Sequence, residues 1–260
     1  KYNIDFETLY PQYSLPHTET LIIKSFNPKK HMGKYIDETI KIIKKLYDIG
    51  IKKVVLKKGF SYEAMSVKVL EFNFFDENAI KKALDELEYM ENWDTNIKIT
   101  DYEAGIDRIL IIQPYNDIVS QRLNEFRCFF INGKFVNFFA HGARREEGRM
   151  KLYPNICYND KDYEHCFLRK YAYNIYNNYI KPINKNPSII RIDISYAIED
   201  IYLDKYSIEV NGQKRRYYVN EIEIQPTFYF NIPLLCNNIE KENLKFHYDV
   251  ANALVNEILS

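Results

Sequence analysis

Apolar residues recur at helical spacing in four stretches, as expected where a helix must turn one face inward. From Asp37 to Tyr47 that face is Ile40, Ile43, Leu46 and Tyr47, with Gly50 just beyond as a stop signal. From Asp76, a capping residue, to Glu91 it is Ile80, Ala83, Leu84 and Leu87. Asp160 to Ile180 and Glu240 to Leu259 are longer amphipathic runs. Between them lie segments rich in β-branched and aromatic residues, which suit a pleated, half-buried surface. These are Thr20–Lys24, Lys53–Lys58, Ser66–Phe72, Arg108–Gln113, Glu125–Ile131, Lys134–Ala140, Ile189–Ile194, Ile201–Val210 and Tyr217–Ile224. Asn132-Gly133 and Asn211-Gly212 read as two-residue hairpin turns. Hairpins with interspersed helices predict an α+β fold, not strict β-α-β alternation. A soft boundary near residues 100–107 divides a small lobe, 1–105, from a larger antiparallel lobe, 106–260.

Composition removes several function classes. Lys+Arg and Asp+Glu are both 36, so the net charge is zero and no basic surface for nucleic acid is indicated. No apolar run reaches the roughly 18 residues of a membrane span, so no membrane partner is expected. No signal peptide opens the chain. Cys128, Cys157, Cys166 and Cys236 are scattered without a CxxC pair, which argues against structural zinc and for a reduced, cytoplasmic protein. Only eight glycines occur, and neither G-x-G-x-x-G nor G-x-x-x-x-G-K-[ST] is present, which disfavours a glycine-rich nucleotide fold.

The candidate chemistry is concentrated near the end of the chain, in Arg191-Ile192-Asp193-Ile194 and Val219-Asn220-Glu221-Ile222-Glu223-Ile224-Gln225-Pro226-Thr227. A carboxylate inside an apolar strand costs several kcal/mol to bury unless something compensates it. Three on neighbouring strands would repel one another and take up protons. A divalent cation reverses that penalty, because Mg²⁺ is held by a few carboxylates together with phosphate oxygens. Glu221 and Glu223 are two apart and share a strand face. With Asp193 opposite, they would form a metal–phosphate platform; the plainer reading is a polar sheet face with cross-strand pairs such as Arg191 and Glu221.

Three earlier segments supply the other parts of a nucleotide-triphosphate site. Val54 to Glu63 is a strand ending in Lys57 and Lys58, followed by a Gly59 and Ser61 turn that can offer an ammonium and free N–H groups to phosphate. Alone, it is an ordinary strand end. Ile109 to Tyr115 is an apolar strand broken at Pro114, whose unpaired backbone groups could receive an adenine edge. Alone, it is a buried core strand. Asn124-Glu125-Phe126-Arg127-Cys128-Phe129 puts Glu125 and Arg127 on one face, and Arg144, Arg145 and Arg149 follow in what reads as a polar loop.

In order and spacing these segments resemble the ATP-grasp superfamily, which includes glutathione synthetase, D-alanine:D-alanine ligase and ribosomal-protein glutamate ligases. The resemblance runs from about Pro16 to Thr227. It implies two lobes, each an antiparallel sheet with helices, with ATP bound between them and the family's N-terminal substrate domain truncated or absent. It implies that Lys57, with Lys24 or Lys1 as a second lysine, and Gly59 and Ser61 hold the phosphates. Ile112, Gln113 and Tyr115 would form the adenine hinge, and Glu125 and Arg127 the Asp/Glu-x-Arg motif that follows it. Arg144 would lie in the arginine loop, Arg191 would contact phosphate, and Asp193, Glu221 and Glu223 would bind Mg²⁺. Glu223 stands where the family's Glu-x-Asn-x-x-Pro motif has Asn, and the phosphate loop has one glycine where several are typical.

The implied activity is ATP- and Mg²⁺-dependent carboxylate–amine ligation through an acylphosphate, on a small molecule, peptide or protein side chain. Two rivals keep the fold. One is a small-molecule kinase. The other is an ATP-binding assembly factor, because Glu125-Phe126-Arg127-Cys128-Phe129 also resembles a stretch of the eukaryotic cell-division-cycle ATP-grasp proteins.

Overall fold

The computed structural model describes residues 11–58, 67–88, 107–120, 125–141, 143–146, 149–152, 156–157, 160–183 and 189–224, with 139–157 described by backbone alone. Contacts divide the chain into two units, Lys1–Tyr115 and Asn116–Ser260.

The first unit contains strands β1 (Glu19–Ile23), β2 (Lys53–Lys58), β3 (Val67–Glu71) and β4 (Arg108–Pro114), in the order β1-β4-β2-β3, all neighbours antiparallel. β4 lies beyond the boundary expected from sequence, yet it pairs with both β1 and β2 and so belongs to this sheet. Helices α1 (Pro28–Asp48) and α2 (Glu77–Glu88) pack on the sheet. α1 begins well before Asp37 because Pro28 supplies a preset φ at the first helical position. It ends as expected at Gly50 (φ 98°), whose N–H bonds to the Tyr47 carbonyl while the Ile51 N–H reaches back to Leu46, a Schellman closure. Ile43, Val54, Leu56, Ile80, Leu110 and Ile112 have no solvent exposure and form the core.

The second unit contains β5 (Glu125–Ile131), β6 (Lys134–His141), β7 (Ala143–Glu146), β8 (Arg149–Leu152), β9 (Ile156–Cys157), β10 (Ile189–Ala197), β11 (Ile208–Val210) and β12 (Gln213–Ile224). Its main sheet has the order β11-β12-β10-β5-β6-β9, and β7 and β8 form a separate two-stranded sheet. The arginine segment expected as a polar loop is thus a hairpin, with Glu146 opposite Arg149 in register. Opposite charges facing across a strand pair favour that register. Both Asn-Gly turns are present, with positive φ at Asn132, Gly133, Asn211 and Gly212. Helix α3 (Tyr163–Ile175), capped by the Asp162 carboxylate accepting from the His165 N–H, continues into a π-helical turn, Tyr176–Ile180. This element covers one sheet face: His165 meets Phe138 edge-on, and Tyr176 stacks on Phe130 at 5.0 Å. The expected strand Ile201–Val210 shrinks to β11, with a short 3₁₀ turn over Asp200–Tyr202. The expected helix Glu240–Leu259 lies outside the described residues. No helix among the described residues is long and apolar enough to cross a membrane.

Candidate functional site

Strand alternation separates two faces of the second sheet. Cys128, Phe130, Ile190, Ile192 and Ile194 turn to the helix side. Glu125, Arg127, Arg191 and Asp193 turn the other way, with Asp193 opposite both Arg127 and Glu221, and Arg191 opposite Glu223. Arg191 therefore faces Glu223 rather than Glu221 across the pair, two residues along the strand from the plainer sequence reading.

An irregularity in β12 shapes this face. Asp193 pairs with Glu221 and Ile194 with Val219, so Asn220 is an inserted residue, a bulge. Without it, alternation would put Tyr217 and Val219 on the face of Glu221. With it, Tyr218 takes that side opposite Ser195, and Asn220 donates from Nδ2 to Glu125 Oε2 at 2.8 Å. Sequence reasoning missed both residues. The available signal was an asparagine inside a β-branched run, a residue depleted from regular strands.

Arg191 is the hub of the cluster. Its Nε donates to Asp193 Oδ1 and one Nη to Asp193 Oδ2, each at 2.7 Å. The same Nη donates to Glu223 Oε1 at 2.7 Å and lies 3.8 Å from Glu221. Arg127 is held by Glu125 at 3.1 Å and stands 4.0 Å from Asp193. The Asp193 side chain is 1% exposed, Glu223 32% and Glu221 48%, so the cluster is closed at Asp193 and opens along β12.

Among the described residues, the ion pairs here set four carboxylates, Glu125, Asp193, Glu221 and Glu223, around two guanidiniums, Arg127 and Arg191. Burial first, then the Glu125 charge, push the Asp193 carboxyl up from 3.8 to about 6, against the pull of Arg191 and Arg127. Burial also raises Glu223, opposed by Arg191. Burial acts to raise Glu125 too, but Arg127, Asn220 and Arg191 outweigh it and hold this carboxyl below its ordinary value. Beneath the site, burial and the Asp193 charge raise the Cys128 thiol well above its usual range.

This donor set fits Mg²⁺ in chemistry, since hard carboxylate oxygens are the ligands such a cation takes. Among the described residues, no three carboxylates already converge on one metal-sized point, and Arg191 stands between them.

In the first unit, register places Lys57 opposite Ile111 and Val55 opposite Gln113, so Lys57 and Gln113 share one sheet face. Val54, Leu56 and Lys58 lie on the other, more covered face with Ile112. Ile112 is fully buried and can offer only its backbone to a ligand. The Tyr115 N–H bonds to the Lys53 carbonyl at 2.9 Å, and the Lys53 ammonium sits 4.1 Å from the Tyr115 ring centre. Lys24 is exposed in the turn after β1. Gly59 and Ser61 lie outside the described residues, and Arg144 is described only by its place on β7, opposite Lys151.

No family model and no curated protein sequence matches the chain. Solved structures do. The crystal structure of D-cycloserine synthetase DcsG matches over 96% of this chain and 68% of its own, with TM-score 0.51 at 12% identity. The chain has an ATP-grasp fold. The ATP-grasp ligase PsnB, solved with a phosphomimetic precursor variant, Mg and ADP, matches over 96% of this chain and 57% of its own, with TM-score 0.44 and 9% identity. C-terminally truncated Cdc123 from Schizosaccharomyces pombe matches over 89% of this chain and 85% of its own, with TM-score 0.39 and 13% identity. The two expected antiparallel sheets with helices are both present among the described residues.

Proposed function

We propose that this protein is an ATP- and Mg²⁺-dependent carboxylate–amine ligase. The observation that carries the reading is the carboxylate cluster around Arg191, with Asp193 and Glu223 both bonded to one guanidinium, on the central strands of an ATP-grasp fold. Asp193, Glu221 and Glu223 would hold the metal. When bound, the metal supplies charge neutralisation of the transferring phosphoryl group.

The chain's own residues would do the rest by positioning. Arg191 and Arg144 would hold phosphate oxygens in two-pronged fashion, a geometry suited to guanidinium. Lys57, with Lys24 as the second lysine and the Gly59–Ser61 turn, would hold the remaining phosphates. The backbone of Ile112 and Gln113, with Tyr115, would receive adenine. Arg127, tied to Glu125, would keep a positive charge at the edge of the cluster. Attack of the substrate carboxylate on the γ-phosphorus would release ADP and form an acylphosphate. The amine would then displace phosphate to leave an amide. Such chemistry needs alignment and preorganised charge more than a protein base.

Thermal unfolding with a non-hydrolysable ATP analogue and Mg²⁺ tests the site. A ligand at 100 times its Kd that binds only the folded state adds about 2.7 kcal/mol. The expected result is a Mg²⁺-dependent shift in the wild type that Lys57→Ala and Glu221→Gln both lose. A well-folded wild type that shows no shift would rule the reading out. A second reading, an ATP-binding assembly factor, draws on the Glu125–Phe129 stretch. Tight ATP binding without turnover, with a protein partner recovered alongside, would favour it.

A further inference from the structure

We propose that Arg191 is a built-in cation that keeps the carboxylate cluster closed to free divalent metal and yields it only when phosphate is offered in exchange. The proposal rests on the ATP and Mg²⁺ reading above and adds the order of events to it.

Arg191 stands among three carboxylates. Its guanidinium grips Asp193 with two hydrogen bonds of 2.7 Å, shares one nitrogen with Glu223 at 2.7 Å, and lies 3.8 Å from Glu221. These are the three expected metal ligands, and one side chain spans them all. A free cation entering the cluster must first break charge-assisted bonds that are roughly twice as strong as neutral ones. It would then leave a guanidinium, 5% exposed, beside a like charge and without its counter-ions. Breaking a buried ion pair by removing one partner is strongly unfavourable for that reason.

Phosphate changes the balance. Its oxygens match the guanidinium fork as a carboxylate does, so Arg191 can exchange Asp193 for phosphate without loss of geometry. Asp193, released, exchanges the guanidinium for the cation. Every charge keeps a partner through the double exchange, and neither half is favourable alone. The open side of the cluster lies toward Glu223 and Glu221, which gives Arg191 a direction in which to turn. Arg127 cannot substitute, because Glu125 holds it and it stands 4.0 Å from Asp193.

Manganese is the probe, read as the loss of the free-ion paramagnetic resonance signal beyond what ADP alone removes, which reports binding to the protein without turnover. Wild type and Arg191→Gln, both checked for folding by circular dichroism, are titrated with Mn²⁺ with and without ADP. Without ADP the variant is expected to bind Mn²⁺ about tenfold or more tightly than wild type, within the usual range of coupling between sites. ADP is expected to tighten Mn²⁺ binding strongly in wild type and much less in the variant. Arg191→Lys keeps the charge but loses the two-pronged grip; it is expected to fall between the two and serves if the glutamine variant does not fold. Substituted protein that binds Mn²⁺ no more tightly than wild type, while ADP still brings Mn²⁺ to wild type, overturns the gate and leaves the metal site standing. Wild type that takes up no Mn²⁺ even with ADP overturns both.

Discussion

Asp193 is the residue on which the candidate site turns. It is buried, opposite Glu221 and Arg127 on its neighbouring strands, and held by Arg191. Its carboxyl is pushed from 3.8 up to about 6, so the folded chain holds this proton more tightly than the unfolded one. The sign follows from linkage: stability contributed by this group falls as pH rises from about 4 to about 6 and is level above that. Glu125 acts with the opposite sign, because its folded value is depressed; its contribution is present above its ordinary value of 4.5 and is lost on acidification. Urea unfolding of Asp193→Asn beside wild type should therefore show a stability difference that moves in the variant's favour from pH about 4 to about 6. The same variant should lose Mg²⁺-dependent turnover while remaining folded. Unchanged turnover would remove Asp193 from the metal set. The acidic character of this strand pair was legible in sequence, and so was the arginine beside it. That the arginine would clasp its own near neighbour and Glu223 together was not, because this depends on side-chain reach across two strands.

At the level of elements, hairpin turns were the most legible feature and strand ends the least. Asn132-Gly133 and Asn211-Gly212 adopt the positive φ that such pairs favour, but their surroundings differ. A Cβ on Gly133 would stand 2.7 Å from the Tyr176 hydroxyl, whose ring is stacked on Phe130, whereas one on Gly212 would meet open space. Gly212→Ala should cost only left-handed backbone strain, about 1–2 kcal/mol. Gly133→Ala should cost that plus the displacement of a packed ring, about 2–3 kcal/mol in total. Chemical denaturation of the two variants compares them directly, and equal costs would mean that Tyr176 yields freely. The bulge at Asn220 was invisible to a period-two reading of β12, since an inserted residue leaves the hydrophobic pattern on either side intact and shifts only its phase. That phase shift puts Tyr218, Asn220 and Glu221 on the site face together. β4 escaped its unit for a related reason: its own pattern is apolar on both faces and says nothing about which strands flank it.

For the molecule as a whole, the ligase reading predicts a stoichiometry. Phosphate should appear from ATP only when a carboxylate and an amine are both present, with an amide as the second product. A stable phosphoester would point to a kinase instead, and product analysis by mass spectrometry separates the two. The amino-acid sequence by itself determined the α+β class, the hairpins, the helical faces and the order of segments that resembles an ATP-grasp chain, because these depend on local periodicity, turn chemistry and spacing. Only the tertiary structure decided which residues meet. Register across β5, β10 and β12 brought Glu125, Arg127, Arg191, Asp193, Glu221 and Glu223 into one cluster, and a single bulge added Asn220 to it. Such pairings join residues up to 95 positions apart. Their energies come from burial and charge shared between strands, which no stretch of chain carries alone.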